Sequence, residues 1–425
     1  MIVSNMNLTI KAILHSFKLD TLIKPKSNAF VCEAVCVLAF LPAINFFLNQ
    51  ILQTYFSFSS ISSIFYLFMA AIGLAAYTWY FSKSQSIIVI TAILILLLTF
   101  ISYSIYPEIS TEIINNEINP LTNTILGLFC YQIPAMIYAS NIKKWDVLMS
   151  RMYVYSIFTL FLGIVSFYYF TFKTNSEDIP NYMVYSYNLL TGLGPLVVFS
   201  FLNKNLFDII LVFIGAVCML INGARGAQVA FVLIIFCCML FLSTLNKYQT
   251  VFLLTLTFIL LVTFISNPKG VSDALDYVLG DYNIHSRTLM KLLEGDAMSQ
   301  SGRDIIREDI IVGITNNPFG YGLFGDRYLT AIGSWGTPTY CHNFFFEICC
   351  DFGILIGPII ILYLFISITR LLRDKQNPHK ANVMLMLLPC GIFQLLFSGS
   401  FIVNITFFLV IGSIFNDKKS NILSY

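Results

Sequence analysis

Residues 350–369 read CDFGILIGPIIILYLFISIT, and this stretch contains a single charged side chain, Asp351. A run of about 20 apolar residues is long enough to cross a bilayer as one helix. The whole chain has a similar composition, with 57% hydrophobic and 11% charged residues, whereas soluble globular proteins contain about 25% charged residues. The sequence therefore predicts an all-α polytopic membrane protein and excludes a soluble one.

The same length criterion predicts about 12 transmembrane helices in the chain. They cover residues 29–52, 62–82, 86–106, 121–140, 150–171, 183–202, 206–223, 227–245, 249–266, 350–369, 381–397 and 400–416. The first nine helices form a region over residues 29–266, and the last three form a second region over residues 350–416. Between these two regions lies one large loop, residues 267–349, in which we expect short helices.

The basic residues predict the orientation of these helices. With both termini in the cytoplasm, the inner segments carry most of the 24 basic residues, and the short outer loops carry acidic residues such as Glu108 and Glu177. Lys and Arg favour the cytoplasmic side in short loops, whereas long loops cross regardless of charge. We therefore expect a bacterial inner-membrane protein with both termini in the cytoplasm and the large loop in the periplasm.

Two short segments flank the membrane regions. Residues 1–28 interleave lysines with apolar residues, which predicts a cytoplasmic amphipathic segment lying on the membrane surface. A solvated terminal tail fits the same residues equally well. Residues 417–425 are predicted to form a cytoplasmic tail.

The cysteines predict neither disulfides nor a metal site. All of the ten cysteines except Cys341 lie in apolar runs, where cysteine behaves as a small hydrophobic residue. No spacing of cysteines or histidines is typical of metal ligands. We expect no metal, no other cofactor and no nucleic-acid partner.

The polar stretch from Asn267 to Cys341 interrupts a chain that is otherwise mostly apolar, and His342 follows it directly. It contains His285 and four of the chain's arginines: Arg287, Arg303, Arg307 and Arg327. A membrane protein that gathers titratable and anion-binding groups at one face is expected to handle a charged substrate there.

Arg225 lies between Ala224 and Gly226 in a tight predicted turn between two apolar helices. Glycine in such a turn allows a ligand to approach closely, and the planar guanidinium suits phosphate. The alternative is an arginine that extends to the lipid headgroups.

Arg303 and Arg307 lie four residues apart in a short amphipathic helix predicted after Gly302. Like charges at this spacing repel mildly, and an anion held between them would remove the repulsion. For Arg307 the alternative is an ion pair with Asp304.

His342 lies where the predicted outer loop meets a membrane helix. A neutral imidazole there can take a proton from a sugar hydroxyl near neutral pH. Asn343 is expected either to cap the following helix or to orient a substrate. For Glu347 and Asp351, one carboxylate orients His342, or both are solvated at the interface.

Three motifs in this order resemble the O-antigen polymerase (Wzy-type) and O-antigen ligase superfamily, membrane glycosyltransferases of the GT-C type. His342-Asn343 followed by Asp351, Gly353 and Gly357 resembles its His-Asn signature. Gly302-Arg303 and the turn Asn317-Pro-Phe-Gly-Tyr-Gly322 are similar to its Gly-Arg and Asn-Pro-x-Gly-x-Gly segments. Residues 222–227 look like its Ser-Arg-Gly turn, with Ala224 where serine is usual.

The resemblance implies a glycan donor carried on undecaprenyl diphosphate and an active site in the periplasm. It also implies inverting transfer without a metal, and a chain-length-regulating partner is an expectation from the resemblance alone. The expected catalytic residues are His342, Arg303 and Arg225, and the expected substrate-binding residues are Arg307, Asn343, Arg287 and Glu347.

Three functions are compatible with these observations. The first is an O-antigen or capsular repeat-unit polymerase, and the second is the related ligase, which transfers the finished polymer to lipid A core. The third is a polysaccharide transporter or flippase, which predicts ionisable residues near the middle of the bilayer. The acidic residues in the predicted spans, Glu33, Asp208 and Asp351, instead lie near span ends, which favours the enzymes.

Overall fold

The computed structural model describes residues 28–56, 62–80, 97, 104, 126–172, 182–222, 224–242 and 303–422. These residues form helices and no strand, as the sequence predicts. In chain order the helices are α1 (Asn28–Phe56), α2 (Ser62–Tyr80), α3 (Ile133–Ser140), α4 (Trp145–Phe172), α5 (Tyr182–Asn203), α6 (Leu206–Asn222), α7 (Arg225–Phe241), α8 (Arg303–Asn316), α9 (Gly325–Ile332), α10 (Phe344–Leu372), α11 (Pro378–Leu388) and α12 (Ile405–Ile422).

Six of the described helical stretches are long and apolar enough to cross a membrane. They are Asn28–Leu52, Ser62–Tyr80, Trp145–Tyr169, Met183–Asn203, Phe344–Leu372 and Pro378–Leu396. Shorter apolar helices cover Leu206–Met219, Gly226–Phe241 and Ile405–Asn416. All nine coincide with predicted spans, but the total of 12 spans and the side on which the loop lies stay predictions.

Several predicted segments lie wholly or mostly outside the described residues. They are the amphipathic segment 1–28, the spans 86–106 and 249–266, the loop up to residue 302 with His285 and Arg287, and the last three residues of the tail. The span predicted over residues 121–140 is described from residue 126 onwards, as a π-helical turn (Leu128–Gln132) that leads into α3.

Three predicted helix starts differ clearly from the structure. Helix α4 begins at Trp145 rather than at residue 150. Helix α10 begins at Phe344 rather than at residue 350, because Asn343 caps it and the apolar residues that follow continue into the membrane run. Helix α12 begins at Ile405 rather than at residue 400. Between α11 and α12 the chain forms a π-helical turn (Pro389–Phe393) and two short 3-10 turns.

Helix α5 is the central helix of the bundle and packs against α1, α4, α6, α7 and α11. Its residues Leu189, Leu193 and Leu196 are fully buried. Gly192 lets α4 approach closely, because a Cβ atom at this position would lie 3.0 Å from the main-chain nitrogen of Leu160. Small residues at such contacts are typical of helix packing in membranes.

The outward faces of the bundle are apolar. On α10 the exposed side chains include Ile359, Leu362 and Phe365, and on α6 they include Ile209 and Phe213. Large apolar areas of this kind are unusual on soluble monomers. They fit the lipid contact that the sequence predicts.

A polar layer lies at the C-terminal end of α5. Arg151 Nε lies 3.5 Å from Glu33 Oε2, and the Tyr155 hydroxyl donates to Glu33 over 2.9 Å. The Tyr153 hydroxyl donates to the buried Asp208 over 2.6 Å. Two of the acidic groups predicted near span ends, Glu33 and Asp208, are thus paired within the protein at one end of the bundle, and the candidate site lies at the other end.

Candidate active site

Residues 394–401, within the break between α11 and α12, contact Arg303 and Asn343 and pack against the Arg225 turn. We call them the α11–α12 segment. Phe397 O accepts a hydrogen bond from Arg303 Nη1 (3.4 Å), and Leu396 O accepts one from Asn343 Nδ2 (3.4 Å). Carbonyl groups at the end of a helix lack partners within that helix, so they are available to side chains from α8 and from the α10 start.

Arg303 is the first residue of α8 and is exposed. Besides Phe397 O, its contact is a long one from Nη2 to Met183 Sδ (3.7 Å). No carboxylate of the described residues forms an ion pair with it. Because the N-terminus of a helix also favours negative charge, this guanidinium is well placed to bind an anion.

The Arg225 turn packs against the same segment. Ala224 N donates to Ser186 Oγ (2.9 Å), which attaches the turn to α5. At Gly226 a Cβ atom would overlap the Tyr187 hydroxyl and would lie 2.7 Å from Phe397 Cβ. Arg225 is the first residue of α7 and directly precedes Gly226, which packs against Phe397. Phe397 is also the residue whose carbonyl contacts Arg303. The side chain of Arg225 lies outside the described atoms.

His342 has an unusual environment. Its φ of 56° lies in the left-handed region, which non-glycine residues rarely adopt outside functional sites and turns. The imidazole lies against the Tyr340 ring, with 4.1 Å between ring centroids, and its Nδ1 is buried without a hydrogen-bond partner among the described residues.

The pKa of His342 is lowered to about 4, first by burial and then by the positive charge of Arg303. Both causes disfavour the imidazolium form. The imidazole is therefore neutral near neutral pH and is able to accept a proton.

Two of the predicted substrate-binding residues have partners within the protein. Asn343 caps α10, and its Oδ1 accepts from Phe345 N (2.9 Å) and Phe346 N (3.3 Å), which is the capping alternative. Arg307 Nη2 pairs with Asp304 Oδ1 at 2.8 Å, which is the ion-pair alternative. Arg307 is largely exposed, and its described contacts do not reach His342.

Glu347 and Asp351 are 1% and 2% exposed, so the alternative in which both are solvated is wrong. The described contacts of Glu347 are with Arg327 and with Ser400 and Phe401, not with His342. Neither oxygen of Asp351 makes a hydrogen bond of normal geometry, although the Gly325 amide, which donates to Gly322 O, lies nearby.

Tyr187 and Ser398 also lie at the candidate site, and neither is among the predicted site residues. Tyr187 is buried on α5, and its hydroxyl lies within hydrogen-bonding reach of Ser398 and close to the charge of Arg303. Nothing in the sequence distinguishes Tyr187 from Tyr185, which faces α4 and donates to Gly163 O. For Ser398 the signal was present, because Ser398-Gly399-Ser400 is a polar break between two apolar runs.

Two of the motifs form a single structural unit. The turn at residues 317–322 packs directly on the kink of α10 at Gly353, where φ is 79° and ψ is 163°. Three main-chain hydrogen bonds join them: Tyr321 N to Cys350 O (2.8 Å), Gly322 N to Asp351 O (3.0 Å) and Ile354 N to Pro318 O (2.9 Å). The turn thus pairs with main-chain groups at the kink of α10.

The apolar helices are those of a multi-pass membrane protein, and a candidate site with an exposed arginine and a half-buried histidine lies at one end of its helix bundle. Residues 210–362 match the protein-family model described as O-antigen ligase. The matched stretch includes Arg225, Arg303 and His342 but covers well under half of the chain. The match supports the O-antigen ligase and polymerase superfamily, and with it a glycosyl-transfer enzyme that acts in O-antigen processing. No curated protein and no solved structure matches the chain.

Proposed function

We propose that the protein is an O-antigen or capsular repeat-unit polymerase of the inner membrane. It would move a glycan from undecaprenyl diphosphate to a sugar hydroxyl of a second lipid-linked repeat unit, on the periplasmic side. The observation that carries the proposal is that Arg303, the Arg225 turn and Asn343, the residue directly after His342, all contact the α11–α12 segment.

In this proposal Arg303 and Arg225 hold the diphosphate. The present contacts of Arg303 are long, at 3.4 and 3.7 Å, whereas charge-assisted hydrogen bonds to phosphate are about 2.7–2.9 Å long. A diphosphate would therefore be a stronger partner than the groups that Arg303 now contacts. The two guanidinium groups stabilise the negative charge that develops as the diphosphate leaves.

His342 acts as the general base. Its Nδ1 is buried, so Nε2 is the nitrogen that meets the acceptor hydroxyl. Nε2 takes the hydroxyl proton while the hydroxyl oxygen bonds to the anomeric carbon, and the bond from this carbon to the diphosphate oxygen breaks with its electron pair. The diphosphate departs on the opposite face, so the anomeric configuration inverts in one step.

Substrate binding strengthens the base. The charge of Arg303 lowers the pKa of His342 in the free protein. A bound diphosphate offsets that charge and therefore raises the pKa of His342 towards the pH at which the reaction runs.

The second candidate function is the ligase, and the description of the matching family model favours it. The two differ in the acceptor: a second lipid-linked repeat unit for the polymerase, and lipid A core for the ligase. In a deletion strain, loss of a polymerase leaves single repeat units on the core, whereas loss of a ligase leaves a bare core. Mass analysis of the glycan distinguishes the two outcomes.

The direct test is polymer formation from purified protein and lipid-linked repeat units, followed by gel or mass analysis. Arg225→Ala, Arg303→Ala and His342→Ala should each lower the rate about a hundredfold or more. Arg373→Ala, an exposed arginine at the far end of α10, is the matched control and should keep the wild-type rate. Wild-type elongation by all three site variants would refute the proposed site. Complete loss of activity with a chelator, restored by a divalent metal, would contradict the metal-independent mechanism.

A further inference from the structure

Residues 333–343 connect α9 to α10, and we call them the His342 loop. Four charged residues are buried together behind this loop. Asp326 and Arg327 come from the first turn of α9, and Glu347 and Asp351 come from α10. Their exposed fractions are 0%, 8%, 1% and 2%. Burial of a charge is costly unless the charge is paired or hydrogen-bonded, and Asp326, Arg327 and Glu347 have such partners.

On one side the cluster holds the chain that leads into His342. Asp326 Oδ2 accepts a hydrogen bond from Cys341 N (3.1 Å), the residue directly before His342. Asp326 Oδ1 accepts from Arg327 N (2.9 Å) and from Arg327 Nη1 (2.8 Å). One carboxylate therefore connects the His342 loop to the guanidinium of Arg327.

Helix α9 also forms hydrogen bonds to the same loop at a second position. Thr330 Oγ1 donates to Thr339 O (3.0 Å), and Thr339 N donates to Thr330 Oγ1 (2.9 Å). The residues before His342 are thus attached to α9. These attachments help to maintain the left-handed backbone conformation of His342.

On the other side the cluster holds the α11–α12 segment. Arg327 Nη1 lies 3.8 Å from Glu347 Oε1. Glu347 Oε2 accepts from Phe401 N (3.1 Å), and its Oε1 accepts from the Ser400 hydroxyl. Phe397, whose carbonyl holds Arg303, lies three residues before Ser400.

We propose that Asp326, Arg327 and Glu347 are positioning residues: a buried chain of ionic and hydrogen-bonded contacts that sets His342 relative to Arg303 by joining the His342 loop to the α11–α12 segment. Glu347, which the sequence suggested as a substrate-binding residue, acts in this proposal through the protein frame. The catalytic consequence of the proposal rests on the proposed function, but the positioning itself does not.

The pKa of His342 reports this positioning without any substrate, because it depends on burial and on the distance from Arg303. The other titratable groups facing the site are Tyr340, against the ring, and Tyr187. A displaced loop exposes the imidazole and moves it from Arg303, so the pKa of His342 rises towards the ordinary value of about 6.5.

The test measures how fast diethyl pyrocarbonate modifies His342 in the purified full chain, with peptide mass analysis at pH 5.5 and 7.5. Only neutral imidazole reacts. In the wild type, where the pKa is about 4, the intrinsic rate should be nearly the same at both pH values. In Asp326→Asn and in Glu347→Gln it should fall about tenfold at pH 5.5, as expected for a pKa near 6.5.

The matched control is Asp304→Asn, which removes an exposed ion pair on the helix that carries Arg303. It should keep the wild-type profile. His379, which is exposed on α11, serves as an internal standard for the reagent.

A fold-preserving variant covers the case in which a single substitution unfolds the protein. Asp326→Asn with Arg327→Met removes both charges together, and such neutral replacements of buried ion pairs are often tolerated. A monodisperse double variant with a shifted His342 profile supports positioning. A wild-type profile in the monodisperse double variant, or in either folded single variant, overturns it.

Glycan transfer distinguishes this proposal from the proposed function. If the wild type forms polymer, the positioning variants should lower kcat more than they raise KM, because they misplace reacting groups. If the wild type transfers no glycan but the modification profiles shift as expected, the proposed function fails and the positioning stands. If transfer is normal in the variants and their profiles are unshifted, the positioning alone fails.

Discussion

Replacement of Gly353 by alanine should destabilise the protein strongly, because Gly353 is the point at which α10 meets the turn at residues 317–322. Its φ of 79° and ψ of 163° lie in a region that essentially only glycine occupies, and the conformational cost for another residue is about 1–3 kcal/mol. A Cβ atom would also overlap Pro318 O and would lie 2.5 Å from Phe319 C and 2.8 Å from Phe319 Cα.

These neighbours are main-chain atoms, so the overlap is relieved only if the turn moves away from α10. That movement breaks the three main-chain hydrogen bonds of the contact, at about 1 kcal/mol each. Together with the conformational cost, Gly353→Ala should lose about 4–6 kcal/mol, a large part of the 5–15 kcal/mol that is typical of folded proteins.

The assay is thermal unfolding in detergent, followed by size-exclusion chromatography of the heated samples. A loss of about 4 kcal/mol at roughly 2–4 °C per kcal/mol lowers the apparent Tm by about 8 °C or more. Gly336→Ala is the matched control: Gly336 has a φ of 76° but no atom within 4 Å of its Cβ position. This variant has the conformational cost alone, about 1–3 kcal/mol, and equal falls in Tm for the two variants would refute the reasoning.

Three further predictions concern the chemistry. Tyr187→Phe, which removes the hydroxyl near Ser398 and the Arg303 charge, should lower glycan transfer on the order of tenfold at unchanged Tm; an unchanged rate would exclude the hydroxyl from the site. Arg303→Lys keeps the charge but loses the fork that binds phosphate in two places, so transfer should fall at least about tenfold, and full activity would contradict bidentate binding. Because the pKa of His342 is about 4 in the free protein, kcat/KM should stay flat from pH 8 to about 5 and fall as His342 is protonated below that. The kcat profile should fall at a higher pH, because bound diphosphate raises the pKa of His342; an acid limb of kcat/KM near pH 6.5 would contradict the assignment.

The helical architecture could be read from the sequence because apolar runs of about 20 residues have one stable solution in a bilayer, a helix. All described candidate spans coincide with predicted ones. The helix boundaries were harder to predict from the sequence. The sequence offers Asn343 as a possible cap, yet the predicted span begins at residue 350, whereas the helix begins at Phe344.

The site was predictable in its parts but not in its assembly. Arg225, Arg303 and His342 carry side chains whose chemistry is visible in the sequence. The α11–α12 segment contacts Arg303 and Asn343 through the carbonyl groups of Phe397 and Leu396, and every residue has a carbonyl, so no side-chain pattern marks these positions.

The charged residues on α9 and α10 show a second limit of the sequence. It gives the number of carboxylates near His342 but not their partners, and Glu347 therefore looked equally suited to substrate, to His342 or to solvent. The pairing with Arg327 depends on how α9 packs against α10, which is a tertiary contact without a local signal.

Anchoring by main-chain carbonyl groups has a consequence for evolution. At residues 396 and 397 any amino acid that keeps the backbone path retains the contact, so these positions are free to drift while the arginine and the asparagine that reach them are not. In a deep mutational scan, residues 396 and 397 should tolerate more substitutions than Arg303 and Asn343, whereas Ser398 and Ser400, whose hydroxyls contact Tyr187 and Glu347, should not. Relatives that share the catalytic geometry should be hardest to recognise at that point of the chain.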